Sequence, residues 1–114
     1  MALLQVAWWL LVGHIFADFV FQSEKMVTLK SPAKRIAPCE DSYGPWWLWL
    51  LAHGIVNGAI TARILGIWWV GPIEAMHHAA TDYLKCTERI TFWQDQLSHA
   101  VMKGLLLWVW WSLR

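Results

Sequence analysis

Long apolar blocks alternate along the chain with short polar breaks. Apolar residues dominate about 2–22, 46–65, 67–85 and 92–113. Each block is close to the roughly 20 residues a helix needs to cross a hydrocarbon core. None shows the two-residue alternation of a barrel strand, so the backbone must satisfy itself as helix. The pattern predicts an all-α fold, a four-helix transmembrane bundle formed by a single domain over 1–114. Within the blocks, polar residues recur at helical spacing. The first carries His14, Asp18 and Gln22, and the second His53 and Asn57. The third carries Glu74, His78 and Asp82, and the fourth Asp95 and His99. Residues four apart stack on one face, so each helix presents a polar stripe on an apolar cylinder.

The breaks order these stripes in depth. With alternating topology, the 23–45 connection and the polar break at 85–94 lie on one side. His14 and Asp18, His53, His78 and Asp82, and Asp95 and His99 then all fall within a few turns of that side. The pattern therefore predicts one buried His/Asp site. Basic residues set its orientation. Lys25, Lys30, Lys34 and Arg35 lie in the 23–45 connection, and Lys85 and Arg89 border the second break. The positive-inside rule puts both breaks in the cytoplasm, the site near the cytoplasmic face and both termini outside a bacterial inner membrane. Tryptophans agree. Trp8, Trp9, Trp68, Trp69, Trp108, Trp110 and Trp111 form one expected interfacial belt, and Trp46, Trp47 and Trp93 the other. Gly54 and Gly58 form a small-xxx-small pair suited to close helix approach in lipid. Arg63 is expected to reach the interface. The 23–45 connection reads equally as a lid or as a solvated basic linker.

Composition narrows the function. Hydrophobic residues make up 58% of the chain and charged ones 15%, against about 25% in an ordinary soluble domain. A net charge of +1 offers no electrostatic case for nucleic acid. Cys39 and Cys86 lack metal-site spacing and read as free thiols.

An ionisable group inside a membrane helix is costly unless paired and is a functional candidate by default. Imidazole with carboxylate is the ligand set of zinc, manganese or iron. His14, Asp18, His53, His78, Asp82, Asp95 and His99 are the candidate ligands for one or two divalent ions. Gln22, Asn57, Glu74, His77 and Gln96 are expected to orient them from behind, with Gln22 also at the water boundary. A metal-activated water would be the nucleophile, and Asp95 or Asp18 a general base. Lys85 is placed to hold an anionic substrate group. The expected activity is hydrolysis of a phosphate or ester on a lipid-like or membrane-proximal substrate. The alternative is a non-enzymatic membrane metalloprotein, acting as a structural, interaction or ion- or proton-handling module. The bilayer is the expected partner, and homo-oligomerisation is left open.

Gly13-His14-Ile15-Phe16-Ala17-Asp18-Phe19-Val20-Phe21-Gln22, then His53, then His78-x-x-x-Asp82-x-x-Lys85 and Asp95-Gln96-x-x-His99, resembles a small integral-membrane family of bacteria and their phages, classed as a domain of unknown function. The chain is also similar in style to membrane-bound metal-dependent hydrolases, which carry His/Asp pairs in short helices. The first resemblance implies a membrane location, and the second implies hydrolysis.

Overall fold

The structure, a computed structural model, describes residues 1–32, 34 and 43–114. Arg35 and Cys39, named above, lie outside the described residues. Every regular element among the described residues is helical. These are α1 (Leu3–Ile15), which continues as a π-helical turn over Phe16–Val20, then α2 (Glu24–Leu29), α3 (Trp46–Leu65), α4 (Val70–Cys86) and α5 (Phe92–Ser112). The long helices follow the expected blocks with three differences. The first helix changes pitch after Ile15 and ends before Gln22. The third starts at Val70, after a turn over Gly66–Trp69, and not at 67. The 23–45 connection contains a helix of its own.

Local chemistry explains these boundaries. Ser23 Oγ accepts the Met26 amide at 3.1 Å and caps α2. Thr91 and Gln94 form a reciprocal capping box at the start of α5, with bonds of 3.2 and 2.9 Å. Gly66 ends α3 at φ +68°, a left-handed conformation that glycine adopts without steric cost. In the π-helical turn, the Phe21 amide reaches back five residues to the Phe16 carbonyl at 2.8 Å. Such turns are frequent at functional sites, and this one carries Asp18.

α3 and α4 form an intimate pair. A Cβ on Gly58 would stand 2.2 Å from the Gly71 carbonyl oxygen, and one on Gly54 would stand 2.6 Å from that of Ala75. The small-xxx-small pair therefore lets two backbones touch. At the end where α3 turns into α4, Val6, Leu10, Leu65, Val70, Leu106 and Trp110 pack as an apolar core. Trp110 is thus an interior residue and not part of a belt. It lies at a helix–helix contact, with the Arg114 guanidinium 4.1 Å above its ring. Arg63 is exposed near the end of α3.

Leu3–Val20 and Trp46–Leu65 are long and apolar enough to cross a membrane. α4 is shorter and carries Glu74, Asp82 and Lys85. α5 dilutes its apolar residues with Gln94, Asp95, Gln96, His99 and Lys103. The distribution of polarity is inverted relative to a water-soluble protein. Leu4, Trp68 and Trp93 are 81%, 79% and 77% exposed, while Asp18, Glu74, His78, Asp82, Asp95 and His99 are buried.

Candidate metal centre

The polar stripes of all four long helices converge at the end of the bundle opposite the apolar core. Asp18 is at the middle. Its Oδ1 lies 3.0 Å from His53 Nε2 and 3.0 Å from His78 Nε2. The two ring nitrogens are 3.2 Å from each other. His14 Nε2 is 3.7 Å from Asp18 Oδ2. The His99 ring stacks on His78 with centroids 4.1 Å apart, and its Nε2 is 3.3 Å from Asp95 Oδ1. Asp82 Oδ2 is 3.8 Å from His53 Nε2. The structure therefore brings all seven sequence-designated residues into one cluster.

The π-helical turn aims Asp18 inward between α3 and α4. Two ring nitrogens that face both one carboxylate oxygen and each other cannot satisfy one another as two donors. A shared cation at the centre removes that conflict. The triangle of 3.0, 3.0 and 3.2 Å fits this use. Bonds of about 2.0–2.1 Å place neighbouring ligand atoms roughly 2.9 Å apart in an octahedron and roughly 3.4 Å apart in a tetrahedron. Buried orphan atoms surround the triangle. Neither ring nitrogen of His99 makes a hydrogen bond, nor do His14 Nδ1, His78 Nδ1 and Asp95 Oδ1.

Among the described residues, three groups of His and Asp atoms are close enough to share an ion: His14, Asp18 and His78; His53, His78 and Asp82; and Asp18, Asp95 and His99.

The residues expected behind the ligands divide. Gln96 fills that role, lying 3.3 Å from His14 Nε2 and donating to Asp18 Oδ2 at 3.3 Å and Asp95 Oδ2 at 3.1 Å. Gln22 donates to the Asp18 carbonyl at 2.9 Å. Glu74 Oε1 is 4.0 Å from His78 Nδ1. His77 turns to Ser98 Oγ at 3.1 Å, with its ring 5.8 Å from that of His99. Asn57 donates to the His53 carbonyl at 3.2 Å, so it braces the α3 backbone under the ligand rather than the imidazole.

The lysines differ most from expectation. Lys85 was expected to wait at the boundary for an anion. Its Nζ instead bridges Asp82 Oδ1 at 2.9 Å and Asp95 Oδ2 at 3.0 Å. Lys30 was expected only as a basic residue of the connection. It is 1% exposed, and its Nζ contacts Gln22 Oε1 and Asp82 Oδ2. Lys103 pairs with Glu74 and Thr61. The buried carboxylates Asp18, Glu74, Asp82 and Asp95 thus face three ammonium groups, and one negative charge is left over. No local pattern marks Lys30. The helix-start signal at Ser23 is the one cue that its segment is built rather than slack.

Over residues 6–112 the chain matches the family described as "Protein of unknown function (DUF3307)". The chain belongs to this family. No curated protein and no solved structure matches it. The family match runs from α1 to the end of α5 and so includes every residue of the cluster.

Proposed function

We propose that the protein is a four-span integral-membrane metalloprotein that hydrolyses a phosphate or ester group, with Asp18, His53 and His78 holding one divalent ion. The observation that carries this reading is the triangle of Asp18 Oδ1, His53 Nε2 and His78 Nε2. Two imidazoles and one carboxylate suit zinc, manganese or iron. Three protein ligands also follow the catalytic pattern, which keeps a position open. Membrane embedding of all four long helices is supported by the apolar exterior and polar interior. α4 and α5 enclose their charges against partners, so lipid need not meet them. The basic residues of the 23–45 connection favour a cytoplasmic location for the site, with both termini outside.

A divalent ion supplies Lewis-acid activation of water or of the substrate oxygen when bound. The remaining work falls to the chain. Gln96 and Gln22 hold Asp18 in place. Asp95 Oδ1 faces the cluster without a hydrogen bond and is placed to accept a proton as general base. Lys85 pairs with the other oxygen of Asp95 at 3.0 Å and offsets its buried charge. The buried charge count favours one ion over two. Lys30 and Lys85 already neutralise Asp82 and Asp95, so one ion leaves the buried groups with one excess positive charge and a second would raise it to three.

A groove of about 330 Å³ between α1 and α5 is walled by Leu10, Leu11 and Leu107 and reaches His14, Gln96 and Lys103. It supports a lipid-like substrate. The same lysine pairs favour a second reading, in which the cluster is a metal-free ionic network with a structural or proton-handling role.

Metal analysis of the gently purified protein and of a His78→Ala variant tests the proposal. About one ion per chain, lost in the variant, is expected. A wild-type protein that neither retains metal nor takes up added Zn²⁺, Mn²⁺ or Fe²⁺ would overturn it. If Asp95→Asn stays folded, metal-loaded and fully functional, the hydrolase reading falls to the structural one.

A further inference from the structure

The connection after α1 and the turn after α4 enclose a pocket of about 270 Å³, lined by Gln22, Lys30, Lys34, Lys85, Glu88 and Phe92. Three ammonium groups surround one small space in a chain whose net charge is only +1. Two of them, Lys30 and Lys85, also grip the carboxylates at the edge of the metal centre. Lys30 and Lys85 thus join the pocket to the edge of the His/Asp cluster. Lys34 differs from its neighbours. It is exposed, and its side chain makes no ion pair among the described residues. Its backbone is nevertheless held, since its amide donates to Ser31 Oγ at 3.3 Å. Ser31 is buried and ties the turn to α4 through the Cys86 carbonyl at 3.5 Å. Lys34 is thus a free cation on an anchored base.

The charge count says what the pocket accepts. One divalent ion added to the buried groups changes their excess from one negative to one positive charge. Lys34 adds another, and the Glu88 carboxylate on the same wall removes one. A phosphate anion carrying one negative charge and several acceptor oxygens neutralises the remainder, and lysine is a recurrent point-charge binder of phosphate. We propose that this pocket is a phosphate-binding subsite. Lys30, Lys34, Lys85 and the Gln22 amide hold the phosphoryl oxygens of a substrate at the mouth of the Asp18–His53–His78 centre. The subsite rests on the metal reading for its charge balance. The phosphate can belong to a lipid headgroup or to a soluble phosphate monoester, and the experiment separates the two.

The protein is reconstituted into phosphatidylcholine nanodiscs, loaded with Mn²⁺ and titrated with inorganic phosphate and glycerol phosphate. Broadening of the ³¹P resonance by bound Mn²⁺ is the readout. A parallel set of discs contains phosphatidic acid. Wild-type protein is expected to broaden the phosphate signal, with affinity about tenfold weaker in Lys34→Ala, the cost of one charge-assisted contact. Lys25→Ala is the control, since Lys25 lies over the Tyr43 ring and away from the pocket. Broadening of the phosphatidic acid resonance supports a lipid headgroup. Broadening of soluble phosphates alone supports a soluble monoester. Bound Mn²⁺ without phosphate broadening, or equal affinity in wild type and Lys34→Ala, overturns the subsite and leaves the metal proposal standing. If no Mn²⁺ binds, the metal proposal fails only where Zn²⁺ and Fe²⁺ are not taken up either. Calorimetric titration with phosphate then decides the subsite, with the same tenfold loss in Lys34→Ala supporting it and no binding overturning it.

Discussion

The two ends of the bundle are cut from the same four long helices and stabilised by opposite means. At the end near Gly66, Val6, Leu10, Leu65, Val70, Leu106 and Trp110 fill the interior. At the other end the interior is Asp18, His53, His78, Asp82, Asp95 and His99, with Lys30 inserted from the connection. In water the first would be an ordinary core and the second an extravagance. In a bilayer the balance shifts. Lipid is as apolar as leucine, so the apolar end gains little by excluding lipid and is held by close packing. On the proposed four-span reading the polar end would have no alternative solvent, and its charges would hold the helices together because each requires its partner. Glu74, Lys103 and Thr61 mark the boundary between the two regimes.

The largest expected effect separates the ends by chemistry. His78→Ala should reduce bound metal from about one ion per chain to background, whereas Leu106→Ala should leave the metal content unchanged. Elemental analysis of both proteins checks this, and equal metal content would erase the distinction. The next effect probes the boundary. Lys103→Met leaves Glu74 as a buried unpaired charge and should cost about 3–5 kcal/mol. Glu74→Leu in the same chain should restore most of it, because both charges are then gone. Unfolding of the single and double variants in detergent measures the difference, and a double variant as weak as the single would place the pair among groups with a role beyond mutual neutralisation.

A smaller effect concerns packing shared by both ends. Gly58→Ala places a methyl against the Gly71 carbonyl. It should separate α3 from α4 and cost about 1–3 kcal/mol, read in the same unfolding assay. The smallest is at the surface. Trp93→Ala removes a large side chain that is 77% exposed, and stability should change by no more than about 0.5 kcal/mol. A larger loss would mean that this ring is packed against a partner.

Much of the candidate site was legible because its signals are local. His14 with Asp18, Glu74 with His78, His78 with Asp82, and Asp95 with His99 are each four apart, and a helix converts that spacing into a shared face. Antiparallel order then brings the faces together at one depth. The glycine pair on α3 was readable for the same reason. The departures have physical causes as well. The π-helical turn depends on how α1 meets its neighbours, and no residue type in Phe16–Val20 announces it. Trp110 is composed like its neighbours Trp108 and Trp111, yet one step round the helix separates a core position from an exposed one.

By itself the sequence determined that the chain is helical, where the long helices run and which face of each is polar. These properties depend on residues within a turn or two of one another. The tertiary structure decided how the polar faces are neutralised. Lys30 meets Asp82 across 52 positions, and Lys103 meets Glu74 across 29. No periodicity links such residues, because a flexible side chain can reach whatever the fold sets beside it. It is the cost of burying a carboxylate without a counter-charge that selects these partners, and that cost arises only once the helices are assembled.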